Sequence, residues 1–263
     1  MVLNKIVHWL DWHAALLATA VFGAATLGFI ALKLDETVPQ RNPRATEPAQ
    51  VLANWGRLLR HPTFRAWTAL LCLSYGGIFF VLAGSSFVFI DRLGLSRVGY
   101  GLVLSTLSLA YIGGTLLCRR LLLRHGLRGA ARRGAWFSLA GALGIGAASL
   151  AGVESVWAII VPQWLFAIGH GVNQPCGQAG VVGPFPEKAG TAASLSGFAM
   201  MATAFAVSLW LGHMLVHSVL AMTLGVSVFG IALAGVAWTL VQRDGDPAAA
   251  WQPPAGAAPV RCS

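Results

Sequence analysis

The sequence predicts an all-α polytopic membrane protein with seven transmembrane helices. Two observations carry that fold class. First, 56% of the 263 residues are apolar and only 10% are charged, with a mean hydropathy of +0.69. A soluble domain carries about 25% charged residues, so there is too little charge here to coat a water-facing surface. Second, the apolar residues gather into uncharged runs of about 20 or more residues, the length one bilayer crossing requires. The net charge of +9 would indicate a nucleic-acid partner in a soluble chain. Here the basic residues fall on alternate loops, which the positive-inside rule explains, and no nucleic-acid partner is expected.

The first span is 12–32, 21 consecutive uncharged residues. A signal peptide is its rival, with Lys5 as the basic region and Ala18-Thr19-Ala20 as the cleavage site, but the run exceeds the usual apolar core of about 7–15 residues. Residues 34–65 are polar, broken by Pro39, Pro43, Pro48 and Pro62. They read as a loop containing an amphipathic interfacial helix near 51–59. The second span is 66–90, followed by Asp91 and Arg92. The third is 98–118. A tight basic loop, 119–133, then holds Arg119, Arg120, Arg124, Arg128, Arg132 and Arg133 with no acid.

The fourth span is 134–153 and the fifth 156–182, kinked at Pro162 and Pro175. Residues 189–242 are 54 positions without Asp, Glu, Lys or Arg, enough for two spans, with the turn near 213–217. The tail from 243, rich in Pro, Ala and Gly, is expected to be disordered. The expected organisation is therefore a first helix in 1–33, a linker at 34–65, a six-helix membrane domain at 66–242 and a tail at 243–263. Fifteen of the Lys and Arg residues fall on the side of the linker, the basic loop and the tail, and three on the other. That asymmetry places the first side in the cytoplasm and the N-terminus outside.

The stretch 171–197 is dense in Gly, Pro, Ser and Ala. In a bilayer this reads as a kinked helix, a short turn at Glu187 and Lys188, and a close-packed helix, because neighbouring helices satisfy the backbone groups that Pro frees and small residues admit close approach. Cys72, Cys118 and Cys176 lie in apolar runs and read as small buried residues; the spacing offers neither a disulfide framework nor a metal site. Cys262, one residue from the end, is not a prenylation box. No cofactor is indicated.

Three stretches resemble a known family. Leu34-Asp35-Glu36-Thr37-Val38-Pro39 is similar to the segment that follows helix six in the major facilitator superfamily. Gly84 to Ile90, then Gly94-Leu95-Ser96 and Tyr100-Gly101, resemble the end of helix seven and the start of helix eight in its Bcr/CflA drug-resistance branch. Pro184-Phe185-Pro186-Glu187-Lys188-Ala189-Gly190-Thr191-Ala192 resembles the junction of helices ten and eleven there. The likeness covers roughly 10–242 and matches helix six plus the C-terminal six-helix half. Ser86 stands where the family often has Pro.

The resemblance implies a multidrug-efflux transporter of the drug/proton antiport type in a bacterial inner membrane, rather than an enzyme. Its partners would be the bilayer, a small hydrophobic or amphipathic drug, and protons. Family helices one to five have no counterpart, so the chain resembles an N-terminally truncated transporter. Alone it is expected to move neither drug nor protons. A separate N-terminal half or a second copy would complete it; a non-transporting remnant is the alternative.

Polar residues at membrane depth are functional candidates. The fifth span holds Gln163, His170, Asn173, Gln174 and Gln178. Positions 170, 174 and 178 repeat at i, i+4 and i+8, so they share a face. That face either lines the substrate cavity or joins helices through hydrogen bonds. Tyr75 is a further cavity candidate, as are Ser105, Ser108 and Tyr111, spaced by three along one face. Aromatics are also common packing anchors. Asp91, at the outer end of the second span, is the candidate for proton coupling; the competing reading is an interfacial acid beside Arg92. The six-Arg loop suits anionic lipid, although topology alone explains it. An intramembrane serine hydrolase built from His170 with Ser85 or Ser196 is a remote alternative, since neither serine sits in a nucleophile elbow.

Overall fold

The computed structural model describes residues 12–33, 48–153, 155–214 and 220–246, and among them every regular element is a helix. Two units are distinguished. The first, Met1–Thr46, contributes helix α1, Trp12–Lys33. Its 22 residues span about 33 Å at 1.5 Å each, enough for one crossing. It is apolar around its whole circumference, as a helix facing lipid must be.

The second unit, Glu47–Ser263, holds the remaining helices. They are α2 (Pro48–Arg60), α3 (Pro62–Ser86), α4 (Arg97–Leu150), α5 (Val156–Val182), α6 (Ala189–Met214), α7 (Leu220–Trp238) and the short α8 (Leu240–Asp244). A π-helical turn, Phe87–Arg92, extends α3, and a 3-10 turn, Pro186–Lys188, precedes α6. Leu34 to Pro39, residues 215–217 of the turn expected at 213–217 and the tail beyond 246 lie outside the described residues.

α2 is a helix where an amphipathic one was expected. It turns Leu58, 2% exposed, inward and leaves Leu52, Leu59, Arg57 and Arg60 exposed. Apolar and basic groups side by side on an exposed surface suit a headgroup boundary.

The expected loop at 119–133 is not a loop. Residues Arg97–Leu150 are helical except at Gly126, whose φ of 65° lies in the left-handed region. The 54 residues would reach about 80 Å as one rod, far beyond a hydrocarbon core of about 30 Å. The chain instead reverses at Gly126. The first limb, 97–125, pairs Thr106 with Trp164 and Cys118 with Cys176, so it runs parallel to α5. The second limb, 127–150, sets Gly134 against Val172 and Gly144 against Pro162, so it runs antiparallel to α5. The two limbs thus form a hairpin, and the seven expected spans are all present. The six arginines sit on helical turns at its tip because Arg is a good helix former. Only Gly126 was needed to turn the chain, since it alone there adopts a conformation that L side chains resist.

α5 packs against both limbs of α4 and against α3, and α7 packs against α4 and α3. Glycines on one helix receive large side chains from another. Trp67 lies over Gly180, Leu71 over Gly177, Phe166 over Gly77 and Phe80 over Gly225. Trp67, Phe166 and Leu71 are fully buried as a result. With no hydrophobic drive between helices in lipid, such close fitting is what holds them together. Outside this core, Leu102, Leu109, Leu116, Phe198 and Phe205 are exposed, which suits a lipid-facing belt.

The basic end is closed by the last turns. Trp67 Nε1 donates to Gly245 O at 3.1 Å and Trp238 Nε1 to Arg132 O at 3.1 Å. Arg128 donates to Gln242 O and pairs with Asp246 at 3.2 Å. The tail as far as Asp246 is therefore tied to the bundle.

Candidate functional site

α5 carries a polar face through an otherwise apolar bundle, and its neighbours decide what each residue meets. His170 is 8% exposed and its Nδ1 lies 2.8 Å from Ser74 Oγ of α3. The Tyr111 ring, on the first limb of α4, stands 5.5 Å from the imidazole. This three-helix cluster joins two of the expected cavity residues with one, Ser74, that sequence reasoning missed. The signal for Ser74 was only its place as a lone hydroxyl in an apolar run.

Four residues further on, Gln174 turns toward α6. Its Nε2 and that of Gln178 both approach Met200 Sδ at 3.8 Å, and Gln174 Oε1 is buried without a partner. A thioether is a weak acceptor, so the two amides retain hydrogen-bonding capacity. Two turns before His170, Gln163 is 1% exposed with both amide atoms unpartnered. Buried polar groups normally find partners, so this face can accept hydrogen bonds from a ligand or from water.

Asn173 points elsewhere. It is fully buried against the second limb of α4, donating to Ser138 Oγ at 3.4 Å beside Gly134. Tyr75 is half-buried and stacks on Phe79 at 5.9 Å. Ser105 and Ser108 are exposed on the first limb and bond back to Gly101 O and Leu104 O of their own helix. Asp91 is exposed at the end of the π-helical turn, with Arg92 placed over Phe87 at 5.6 Å. Arg119, Arg120, Arg124, Arg132 and Arg133 are exposed at the hairpin tip, and Arg128 is half-buried.

The two serines considered for hydrolysis do not meet the histidine. Ser85 bonds Tyr100 Oη at 2.8 Å and Ser196 bonds Ala193 O at 3.0 Å. The serine that does meet it, Ser74, has no carboxylate behind the imidazole: between the charged ends of α3, α4, α5 and α6, no Asp, Glu, Lys or Arg occurs in any described span.

The family model of the Major Facilitator Superfamily matches residues 2–208, most of the chain. The chain belongs to the major facilitator superfamily. Its membership fits the apolar helices and a multi-pass membrane transporter. Among curated proteins, it is 26% identical to a chloramphenicol resistance protein of Pseudomonas aeruginosa, over 70% of this chain and 42% of that protein. It is also 26% identical to the uncharacterized MFS-type transporter YdgK of Bacillus subtilis (strain 168), over 41% of this chain and 27% of that one. The chain spans less than half the length of each of these relatives.

Proposed function

We propose that this major facilitator protein is a drug/proton antiporter of the Bcr/CflA type that exports a small amphipathic compound across a bacterial inner membrane. The observation that carries the reading is the α5 polar face: His170 joined to Ser74 at 2.8 Å, with Gln163 and Gln174 atoms buried and unpartnered. Such groups are costly at membrane depth, and when retained they commonly mark substrate or ion pathways. The match to a chloramphenicol resistance protein supports a drug as the substrate. In this reading Gln174, Gln178 and Tyr75 bind the drug. His170, held by Ser74, lines the same cavity, and Asp91 exchanges a proton at the outer mouth.

Alternating access needs a second helical body rocking against this one about the site. Deleting the gene in its native host, where any partner is present, is expected to lower chloramphenicol resistance at least about fourfold. Unchanged susceptibility to chloramphenicol and to other amphipathic drugs would overturn the reading.

The same reading places the hairpin tip in the cytoplasm, following the fifteen-to-three charge asymmetry. His125→Cys on a cysteine-free background is expected to resist an impermeant thiol reagent in intact cells and to label in everted vesicles. The opposite pattern would invert the topology.

A further inference from the structure

We propose that Cys118 and Cys176 form a covalent modification site, a buried dithiol that a small lipid-soluble two-electron acceptor closes to an intramolecular disulfide. The sulfurs face each other at 3.7 Å across the seam between the first limb of α4 and α5. Cys118 also approaches Val172 O at 3.6 Å, and the two residues are 2% and 0% exposed.

What holds them there is the crossing one turn away. Gly114 lies against the backbone of Ile168, and a Cβ on Gly171 would stand 2.5 Å from Tyr111 O and 2.9 Å from Gly114 Cα. With backbone on backbone, the helices cannot separate at this level without losing the contact. Cys118 follows Gly114 by four residues and Cys176 follows Gly171 by five, so both project from the turn next to the closest approach. Rotation about each Cα–Cβ bond moves Sγ and leaves Cβ in place, so closing the sulfurs from 3.7 Å to a bond of about 2.05 Å takes place on the existing backbone. Cys72, on α3 and half-buried, faces neither sulfur among the described residues.

The chemistry is balanced and leaves no charge in the seam. Two S–H bonds break, one S–S bond forms, and the acceptor, a quinone or a diazene, takes up two electrons and two protons to become a hydroquinone or a hydrazine. Exchange with an outside thiol requires contact with a disulfide sulfur, which a charged, water-soluble thiol achieves less readily than a lipid-soluble acceptor. The bond would also fix α4 against α5 within two turns of Tyr111 and His170, restricting any movement of the polar cluster.

The test treats the purified full-length protein in detergent with diamide, a diazene, then denatures, alkylates, digests and analyses peptides without reductant. The expected result is a peptide linking Cys118 to Cys176 in most chains, with Cys72 still alkylated. Cys118→Ala and Cys176→Ala should each remove the link, while Cys72→Ala should leave it. The proposal is overturned if the wild-type protein yields no such peptide and both thiols alkylate fully after denaturation. That readout needs no variant to fold.

Discussion

Gly114→Ala is expected to destabilise the helix bundle severely, while Gly113→Ala beside it leaves stability unchanged or slightly raised. A Cβ on Gly114 would press into the backbone of Ile168, standing 2.9 Å from its Cα and 3.0 Å from its carbonyl carbon. Backbone cannot rotate away as a side chain can. The first limb of α4 must therefore lift off α5, and the Cys118 and Tyr111 contacts go with it. Overpacking of this kind costs typically about 1–3 kcal/mol, a large part of a total near 5–15 kcal/mol. A Cβ on Gly113 meets nothing within 4 Å, so there the usual gain of about 0.5–1 kcal/mol for Ala over Gly in a helix applies. Thermal unfolding followed by size-exclusion chromatography in detergent measures both. Equal melting temperatures for the two variants would show that the crossing is looser than described.

His170→Ala is expected to reduce transport at least tenfold with near-normal protein abundance, whereas Asn173→Ala is expected to lower abundance. The two residues are three apart yet face different helices. Loss of the imidazole leaves Ser74, whose hydroxyl can turn to a carbonyl one turn back on its own helix, so the remaining cost is the space the ring leaves. Loss of Asn173 removes the amide that meets Ser138 and leaves a gap beside Gly134 in a fully buried contact. Removing a buried amide costs about 1–3 kcal/mol when its partner is left unsatisfied. Membrane abundance by immunoblot, alongside drug accumulation in cells, separates the two. A fall in abundance for both would make the whole face of α5 structural.

The contrast shows what the residues alone could and could not say. Period and polarity placed His170, Gln174 and Gln178 on one face. They could not show that this face lies along a boundary, so that His170 reaches α3 while both glutamines reach Met200 on α6. Nor could they set Asn173 apart, since a three-residue offset keeps it near the same face. Ser74 was invisible because a serine within an apolar run is ordinary helix packing. The spans themselves were legible from the apolar runs, because bilayer thickness sets their length. The stretch 119–133 was misjudged for a related reason. Charge marks where a chain leaves the membrane, but helical hydrogen bonding continues past the boundary, and the reversal is confined to Gly126.

The central claim is that the α5 polar face couples a drug to protons. Everted membrane vesicles from the native host, energised to acidify the interior, test it most directly when a pH-sensitive dye reports the gradient. Adding chloramphenicol should partly dissipate the gradient in wild-type vesicles and leave it intact in vesicles from the deletion strain and from the His170→Ala strain. A chloramphenicol response of the same size in all three would contradict the account.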